Sequence, residues 1–380
     1  MNATARKASC RATACTTAIT ATAPSARFSP EKVYPMRFSL FVHMERVSDQ
    51  TSQKQLYDEM VELCQIADRG GMHAVWTGEH HGMDFTIAPN PFLNLVDLAN
   101  KTQNVRLGTG TVIAPFWHPI KLAGEAAMTD IITNGRLELG IARGAYSFEY
   151  ERLMPGLDAW NAGQRMRELI PAVKKLWEGD YAHDGEFWSF PSTTSSPLPL
   201  QRPHPPMWVA ARDPNSHEFA VANGCNVQVT PLHFGDEEVE KLVGHFNAAC
   251  EKFSDMPRPQ IMLLRHTYVA SNEEDAQLAA DEVNVFYNYF GAWFKNERPV
   301  SRGMIKPLSK EEIAAHPFYT PQAMRKNNVI GTPDEVIARL KAYDALGFNE
   351  YSFWIDTGMS FERKKASLER MINDVMPAFQ

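Results

Sequence analysis

QKQLYDEMVELCQIADRGGMHAVWTGEHH, residues 53–81, holds one complete structural unit in compressed form. Over 53–69 the apolar residues recur at helical spacing, with Leu56, Met60, Leu63 and Ala67 on one face. Gly70-Gly71 supplies a stop. The run His73 to Thr77 is short, apolar and β-branched, which reads as a buried strand. It ends in a polar cluster, Glu79-His80-His81. Helix, stop, strand and polar tip in that order predict a parallel sheet whose carboxyl edge carries chemistry.

The same alternation extends outward in both directions. Strands are expected at Arg37 to Val42, His73 to Thr77, Val105 to Thr111, Leu137 to Ala142, Met207 to Ala211, Asn226 to Thr230, Ile261 to Val269 and Glu350 to Ile355. Helices are expected at 53–69, 91–102, 119–133, 162–178, 214–223, 235–252, 272–291, 333–346 and 361–376. Eight strands interleaved with helices favour a single closed (β/α)8 TIM barrel over residues 36–380. Capping boxes are expected at Ser271 with Glu274 and at Thr332 with Glu335, where Pro333 takes the first helical position. Gly347 supplies another helix stop.

Two insertions interrupt the pattern. Residues 179–206 open as a hairpin turning at His183-Asp184-Gly185. Residues 293–328 are long for a loop in a compact domain and carry seven Lys or Arg against three acids, as a lid over an anionic ligand would. A solvated surface loop with one helical turn at 309–315 fits them equally. Residues 1–35 are rich in Ala, Thr, Ser and Arg without an apolar core, which is a disordered extension or a transit-like segment rather than a secretory signal.

Composition narrows the class of function. The chain is 44% hydrophobic and 22% charged, the balance of a soluble globular protein. Its formal charge of -7 leaves no basic footprint for nucleic acid, and no apolar run is long enough for a membrane span. A cytoplasmic enzyme acting on a small molecule is expected. Cysteines at 10, 15, 64, 225 and 250 form no CxxC pair and read as free thiols.

Three polar clusters fall after strand ends: Glu79-His80-His81, Arg143-Gly144 and Arg212-Asp213. Adjacent histidines beside an acid could bind a metal, do acid/base work or be structural; neighbours at a strand end point to different sides, which favours acid/base work and no metal. Arg143 offers a fork of donors suited to phosphate. Asp213-Pro214-Asn215-Ser216 opens a helix whose free N–H groups also favour an anion, unless Asp213 simply caps it. Gly108-Thr109-Gly110-Thr111-Val112-Ile113-Ala114 matches GxGxxG/A formally, yet Pro115 and Pro119 delay any helix. These glycines more naturally let a flat ligand lie against the strand.

Taken together, Glu79-His80-His81, the run Val105 to Val112, His118-Pro119, Gly135 to Gly144, Ile330-Gly-Thr-Pro-Asp334 and Asp374-Val-Met-Pro377 resemble the bacterial luciferase-like flavin-dependent monooxygenases. The resemblance covers the chain from Met36 onward. It implies a barrel that takes reduced FMN from a separate flavin reductase, reacts it with O2 through a C4a-hydroperoxyflavin and oxygenates a small apolar organic substrate. His80 falls on the family's catalytic histidine, with Glu79 and His81 as supporting neighbours. Gly110, Thr111, Arg143, Gly144, Ala145, Arg212, Asp213 and Ser216 fall on cofactor-binding positions, and Gly110-Thr111 on a cis peptide. A homodimer is implied as well. Relatives carry an uncharged hydroxyl residue where this chain has Asp213; since a carboxylate repels phosphate, Asp213 must turn away to cap its helix or be screened by Arg212. A deazaflavin F420-dependent hydride-transfer oxidoreductase of the same fold and a metal-dependent barrel hydrolase stand as alternatives.

Overall fold

The computed structural model describes residues 35–316 and 318–380. The expectations for the N-terminal segment therefore lie outside the described residues, apart from Pro35. Eight parallel strands close on themselves: β1 (Arg37–Phe41), β2 (Ala74–Thr77), β3 (Arg106–Thr109), β4 (Leu137–Ala142), β5 (Met207–Ala210), β6 (Asn226–Val229), β7 (Ile261–Val269) and β8 (Glu350–Trp354). Closure is made by β6 on β7, with Val227 opposite Ile261, and by β8 on β1, with Glu350 opposite Arg37. The expected barrel is thus the observed one.

Around it run α1 (Gln53–Arg69), α2 (Pro91–Ala99), α3 (Pro119–Ile132), α4 (Ser147–Leu153), α5 (Ala159–Glu178), α6 (Pro214–Ala222), α7 (Asp236–Lys252), α8 (Glu273–Lys295), α9 (Lys310–Ala314), α10 (Pro321–Asn327), α11 (Pro333–Ala345) and α12 (Phe361–Arg370). Their apolar faces meet strand residues such as Leu40, Leu107, Leu139 and Val209 in one continuous core. Alternate strand residues point inward instead. Trp76 donates to Glu350 at 3.0 Å and Trp208 donates to Glu138 at 2.6 Å, with the two indoles edge to face at 5.5 Å. Arg37 and Arg106 pair with the same two carboxylates, so the barrel is plugged by a polar and aromatic layer.

Several expected boundaries shift. The α8 capping residue is Asn272, whose side chain accepts from Asp275 N; Ser271 bonds the Asp275 carboxylate, one register later than the expected Ser271–Glu274 box. Thr332 with Glu335 forms its box as expected. The 181–193 hairpin pairs Tyr181–Asp184 with Ser189–Thr193, so His183 and Asp184 end a strand and the turn begins at Gly185. Glu168 decides this, because its carboxylate gathers the N–H groups of Glu186, Phe187 and Trp188. β3 stops at Thr109 and resumes as Val112–Ile113 beside β4, with a cis peptide between Gly110 and Thr111. Helix α12 ends at Arg370 and continues as wider and then tighter turns up to Phe379, through Pro377, which has no N–H to donate.

The 293–328 segment is more ordered than a loop. It contains the end of α8, closed by Asn296 in the left-handed region at φ 50°, then α9 and α10. Ile305 and Leu308 are buried, and Glu312 ties Ser309, Lys295 and Arg298 together. Asp84 N donates to Gly303 O at 2.7 Å, which seats the segment on the loop following β2.

Candidate active site

Strand β2 ends at Thr77, and the chain there delivers Glu79, His80 and His81 to the carboxyl face of the barrel. Neighbouring side chains at a strand end diverge, and each histidine finds its own carboxylate. His81 Nε2 lies 2.6 Å from Glu79 Oε1, while His80 Nδ1 lies 3.0 Å from Glu149 Oε2. Glu149 also accepts from His81 N at 2.7 Å through its other oxygen. Glu79, expected as a supporting neighbour of His80, makes its side-chain bond to His81. Glu79 also belongs to the scaffold: buried, it accepts from Ile113 N and from the Trp117 indole, both at 2.8 Å, and so ties β2 to the segment after the cis peptide. Because the two rings turn to different carboxylates, they do not converge on a point where a metal could sit.

Glu149 escaped the sequence reading. It sits in α4, a helix of seven residues that begins just past Arg143-Gly144 and is too short to show a period. An acid three residues into a helix following a strand end was the available signal. Burial penalises a protonated His81 ring, but the bond to Glu79 and the charges of Glu79 and Glu149 outweigh it and hold the group above the ordinary histidine value.

A second histidine, also not anticipated, stands behind the first. His43, in the loop after β1, packs edge to face on His80 with ring centres 5.0 Å apart. Burial, together with His80 and His266, keeps His43 well below the usual value, so its ring is uncharged at neutral pH. Its Nδ1 lies 3.4 Å from Glu45 Oε1. The loop is held by Asp356, whose Oδ2 accepts from His43 N at 2.7 Å and Met44 N at 3.0 Å while Lys364 reaches Oδ1 at 2.8 Å. Beside His80 a cavity of about 450 Å³ opens between Gln53, Thr86, Ile87 and Arg302. Around the triplet, Tyr146 packs on His80 at 5.2 Å and Phe116 on His81 at 5.6 Å, while Phe85 stacks on Phe286 at 5.1 Å. Trp76 turns into the lumen and Trp117 toward Glu79.

The glycines are closely packed on one side. A Cβ on Gly108 would meet the Trp76 ring at 2.1 Å, and one on Gly110 would meet Phe41 at 2.7 Å. Those sides of the strand are packed by the protein's own rings.

The anion cradle is partly assembled. Arg143 is exposed, with one guanidinium nitrogen 2.8 Å from Ala159 O, beside the half-buried Gly144 and exposed Ala145. On the same helix α5, Arg167 reaches Asn215 O at 3.0 Å at the start of α6, a cation that spacing alone gave no reason to single out. Arg212 leans away to Glu238 at 3.4 Å. Asp213 caps α6: its Oδ1 accepts from Ser216 N at 3.2 Å, and Ser216 Oγ accepts from Arg212 N and donates to Asp213 O. Partial burial works against the Asp213 charge, but the donors around Ser216 outweigh it and hold the carboxyl below its usual value. Of the two expected outcomes for Asp213, the cap is the one observed. FMN fits the residues present if its phosphate is taken by the exposed Arg143 and the half-buried Arg167, which keep donors to spare, rather than by Ser216, whose hydroxyl is engaged.

Comparison with known proteins agrees with this geometry. Residues 36–350 match the family described as luciferase-like monooxygenase. The chain is 82% identical over 344 residues, 90% of its length and 96% of the relative's, to the oxygenase component of the flavin-dependent trigonelline monooxygenase of Acinetobacter baylyi. It is 23% identical to the alkanal monooxygenase alpha chain of the Kryptophanaron alfredi symbiont, over 86% of this chain and 94% of the other. Among solved structures, the monooxygenase RslO1 of Streptomyces bottropensis superposes with a TM-score of 0.73 at 28% identity, covering 91% of this chain and 100% of that one. The oxygenating constituent of 3,6-diketocamphane monooxygenase of Pseudomonas putida, solved with FMN, shares the fold at TM-score 0.73 and 19% identity, covering 91% and 99%. The chain belongs to the luciferase-like monooxygenase family and is a flavin-dependent monooxygenase.

Proposed function

We propose that this chain is the oxygenase component of a two-component system that uses reduced FMN and O2 to oxygenate trigonelline, the zwitterion N-methylpyridinium-3-carboxylate. The observation that carries the substrate is the 82% identity, spread over nearly the whole of both chains, to a trigonelline monooxygenase component. This sharpens the expected small organic substrate from an apolar molecule to a flat, charged aromatic. Reduced flavin, when bound, supplies the electrons that activate O2.

The chain's own residues would do the rest. Arg143 and Arg167 would hold the phosphate, and the backbone at Gly110-Thr111 would line the site of the ring system. His80, oriented by Glu149, moves a proton at the oxygen being transferred, since imidazole can both donate and accept near neutral pH. The aromatic rings around His80 exclude water from the reacting atoms. The 293–328 segment acts as the lid: it carries Arg302 to the cavity edge and is fastened there by Gly303 to Asp84. A separate reductase supplies the reduced flavin. A homodimer through α2 and α3 is supported by Leu93, Met128, Ile131 and Ile132, large apolar side chains left between 42% and 69% exposed on adjacent helices.

An F420-dependent secondary alcohol dehydrogenase shares the fold at TM-score 0.71 and 14% identity, which speaks for the fold alone. Titrating the protein side by side with F420 and reduced FMN tests the cofactor. Preference for reduced FMN supports the proposal, and preference for F420 replaces it with hydride transfer.

A further inference from the structure

Next to His80, on the side away from the phosphate cradle, lies a group of buried polar atoms that the protein leaves unpaired. Glu45 is 3% exposed and its Oε2 closes no hydrogen bond. The Trp354 indole N–H approaches that carboxyl without reaching bonding geometry, and it too closes no bond. Both ring nitrogens of His266 and the hydroxyl of Tyr287 are unpaired as well, at 1% and 0% exposure. Buried polar groups are ordinarily satisfied, and an uncompensated buried carboxylate is among the most costly.

These groups come from different elements and meet in one place. Glu45 follows β1, Trp354 ends β8, His266 lies in β7 and Tyr287 in α8. Trp354 and His266 stack at 3.8 Å with an angle of 21°, and Tyr287 stands edge-on to His266 at 5.3 Å. His43 links the group to the reaction centre, 3.4 Å from Glu45 and with its ring 5.0 Å from that of His80. Lys364, bonded to Asp356 at 2.8 Å, offsets Glu45 only in part: burial and the nearby Asp356 push the Glu45 carboxyl well above its usual value, so a bound cation would favour its ionised form. A carboxyl group set among aromatic rings is an arrangement that recognises a cation bearing no N–H, because a carboxylate that ionises on binding and nearby π-electrons attract it without needing a donor.

We propose that Glu45, with Trp354 and Tyr287, is the specificity-determining subsite that receives the N-alkylated, permanently cationic ring of the substrate. This rests on the reading of the substrate as a pyridinium zwitterion. The subsite places that ring against His43 and within reach of His80, and it discriminates against the uncharged pyridine of the same shape.

The test measures binding and turnover of trigonelline, nicotinate and N-methylpyridinium by the wild type, Glu45→Gln and Trp354→Phe, each with reduced-FMN affinity and thermal stability recorded. The expected result for Glu45→Gln is a loss of about thirtyfold or more in affinity for both N-methylated rings, unchanged binding of nicotinate and unchanged flavin affinity. Trp354→Phe should keep the preference for cations with a smaller loss. Equal effects of Glu45→Gln on charged and uncharged rings, or none, overturn the proposal. If the wild type fails to oxygenate trigonelline, the substrate reading falls by itself. The subsite then stands if N-methylpyridinium still binds more tightly than nicotinate in a Glu45-dependent way, and falls if it does not. Should Glu45→Gln not fold, Glu45→Asp serves, with the cation preference expected to weaken and an unaltered preference overturning the proposal.

Discussion

Glu149 Oε2 lies 3.0 Å from His80 Nδ1, across 69 residues of sequence, while the other oxygen of the same carboxylate accepts His81 N at 2.7 Å. One side chain therefore fixes both the tautomer of the reactive ring and the backbone that carries it. Replacing Glu149 by Gln keeps the shape but removes the charge. The expected result is about a tenfold to hundredfold fall in kcat with little change in reduced-FMN affinity. Steady-state oxygenation together with flavin binding checks it, and an unaltered kcat would remove Glu149 from the account.

His80 itself should be worth more. His80→Ala is expected to lower kcat by about a hundredfold to ten-thousandfold, the range of a positioned acid/base group. The reductase-fed oxidation of flavin should continue, now releasing peroxide instead of product. Product formed per O2 consumed is the quantity to follow.

Glu79 predicts a stability effect with a definite sign in pH. Glu79→Ala strands Ile113 N–H and the Trp117 indole, at about 1–3 kcal/mol for each unsatisfied donor. The His81 contribution adds a pH dependence. Its folded value is raised, so the stabilisation from the Glu79 pair is fully present below the unfolded value near 6.5 and is lost as pH rises through the folded value. Denaturant titrations of wild type and variant should thus differ most on the acid side of this window and, above it, by the cost of the two stranded donors alone.

Lys364 and Asp356 form a buried pair, 4% and 1% exposed, on which the loop carrying His43 and Glu45 hangs. Lys364→Met should cost about 3–5 kcal/mol because it leaves Asp356 buried without a counter-charge. Thermal unfolding reads this out, and a variant as stable as wild type would show the loop to be held some other way.

For the phosphate cradle, Arg143→Ala and Arg167→Ala should each weaken reduced-FMN binding about tenfold to hundredfold, the worth of a hydrogen bond to a charged group. Ser216→Ala should act mainly on the start of α6, through loss of its bonds to Arg212 N and Asp213. Fluorescence titration at fixed salt separates the two behaviours.

The barrel was legible because its signal is periodic. Leu137–Ala142 and Ile261–Val269 appear with the boundaries that apolar runs predict, as does the helix 53–69 between its Ser52 cap and Gly70. Partnership across the barrel mouth carries no such signal. Glu149 supports His80 only because α4 folds back over the end of β2, and Glu45 meets Trp354 only because β1 and β8 close the barrel. Neither pairing leaves a spacing that could be read along the chain. The cap at Asn272 in place of Ser271 shows the same limit at short range, where two polar residues compete and local geometry chooses. Arg167 shows it again, since its helix would look ordinary without the fold that brings Asn215 beside it.

The most direct test supplies the purified chain with trigonelline, reduced FMN from a separate reductase, and isotopically labelled O2, then measures label in the product by mass spectrometry. The account predicts one labelled oxygen atom incorporated per molecule of trigonelline consumed, with incorporation largely lost in His80→Ala. Oxygen uptake that leaves trigonelline unchanged, or a product carrying no label, would contradict it.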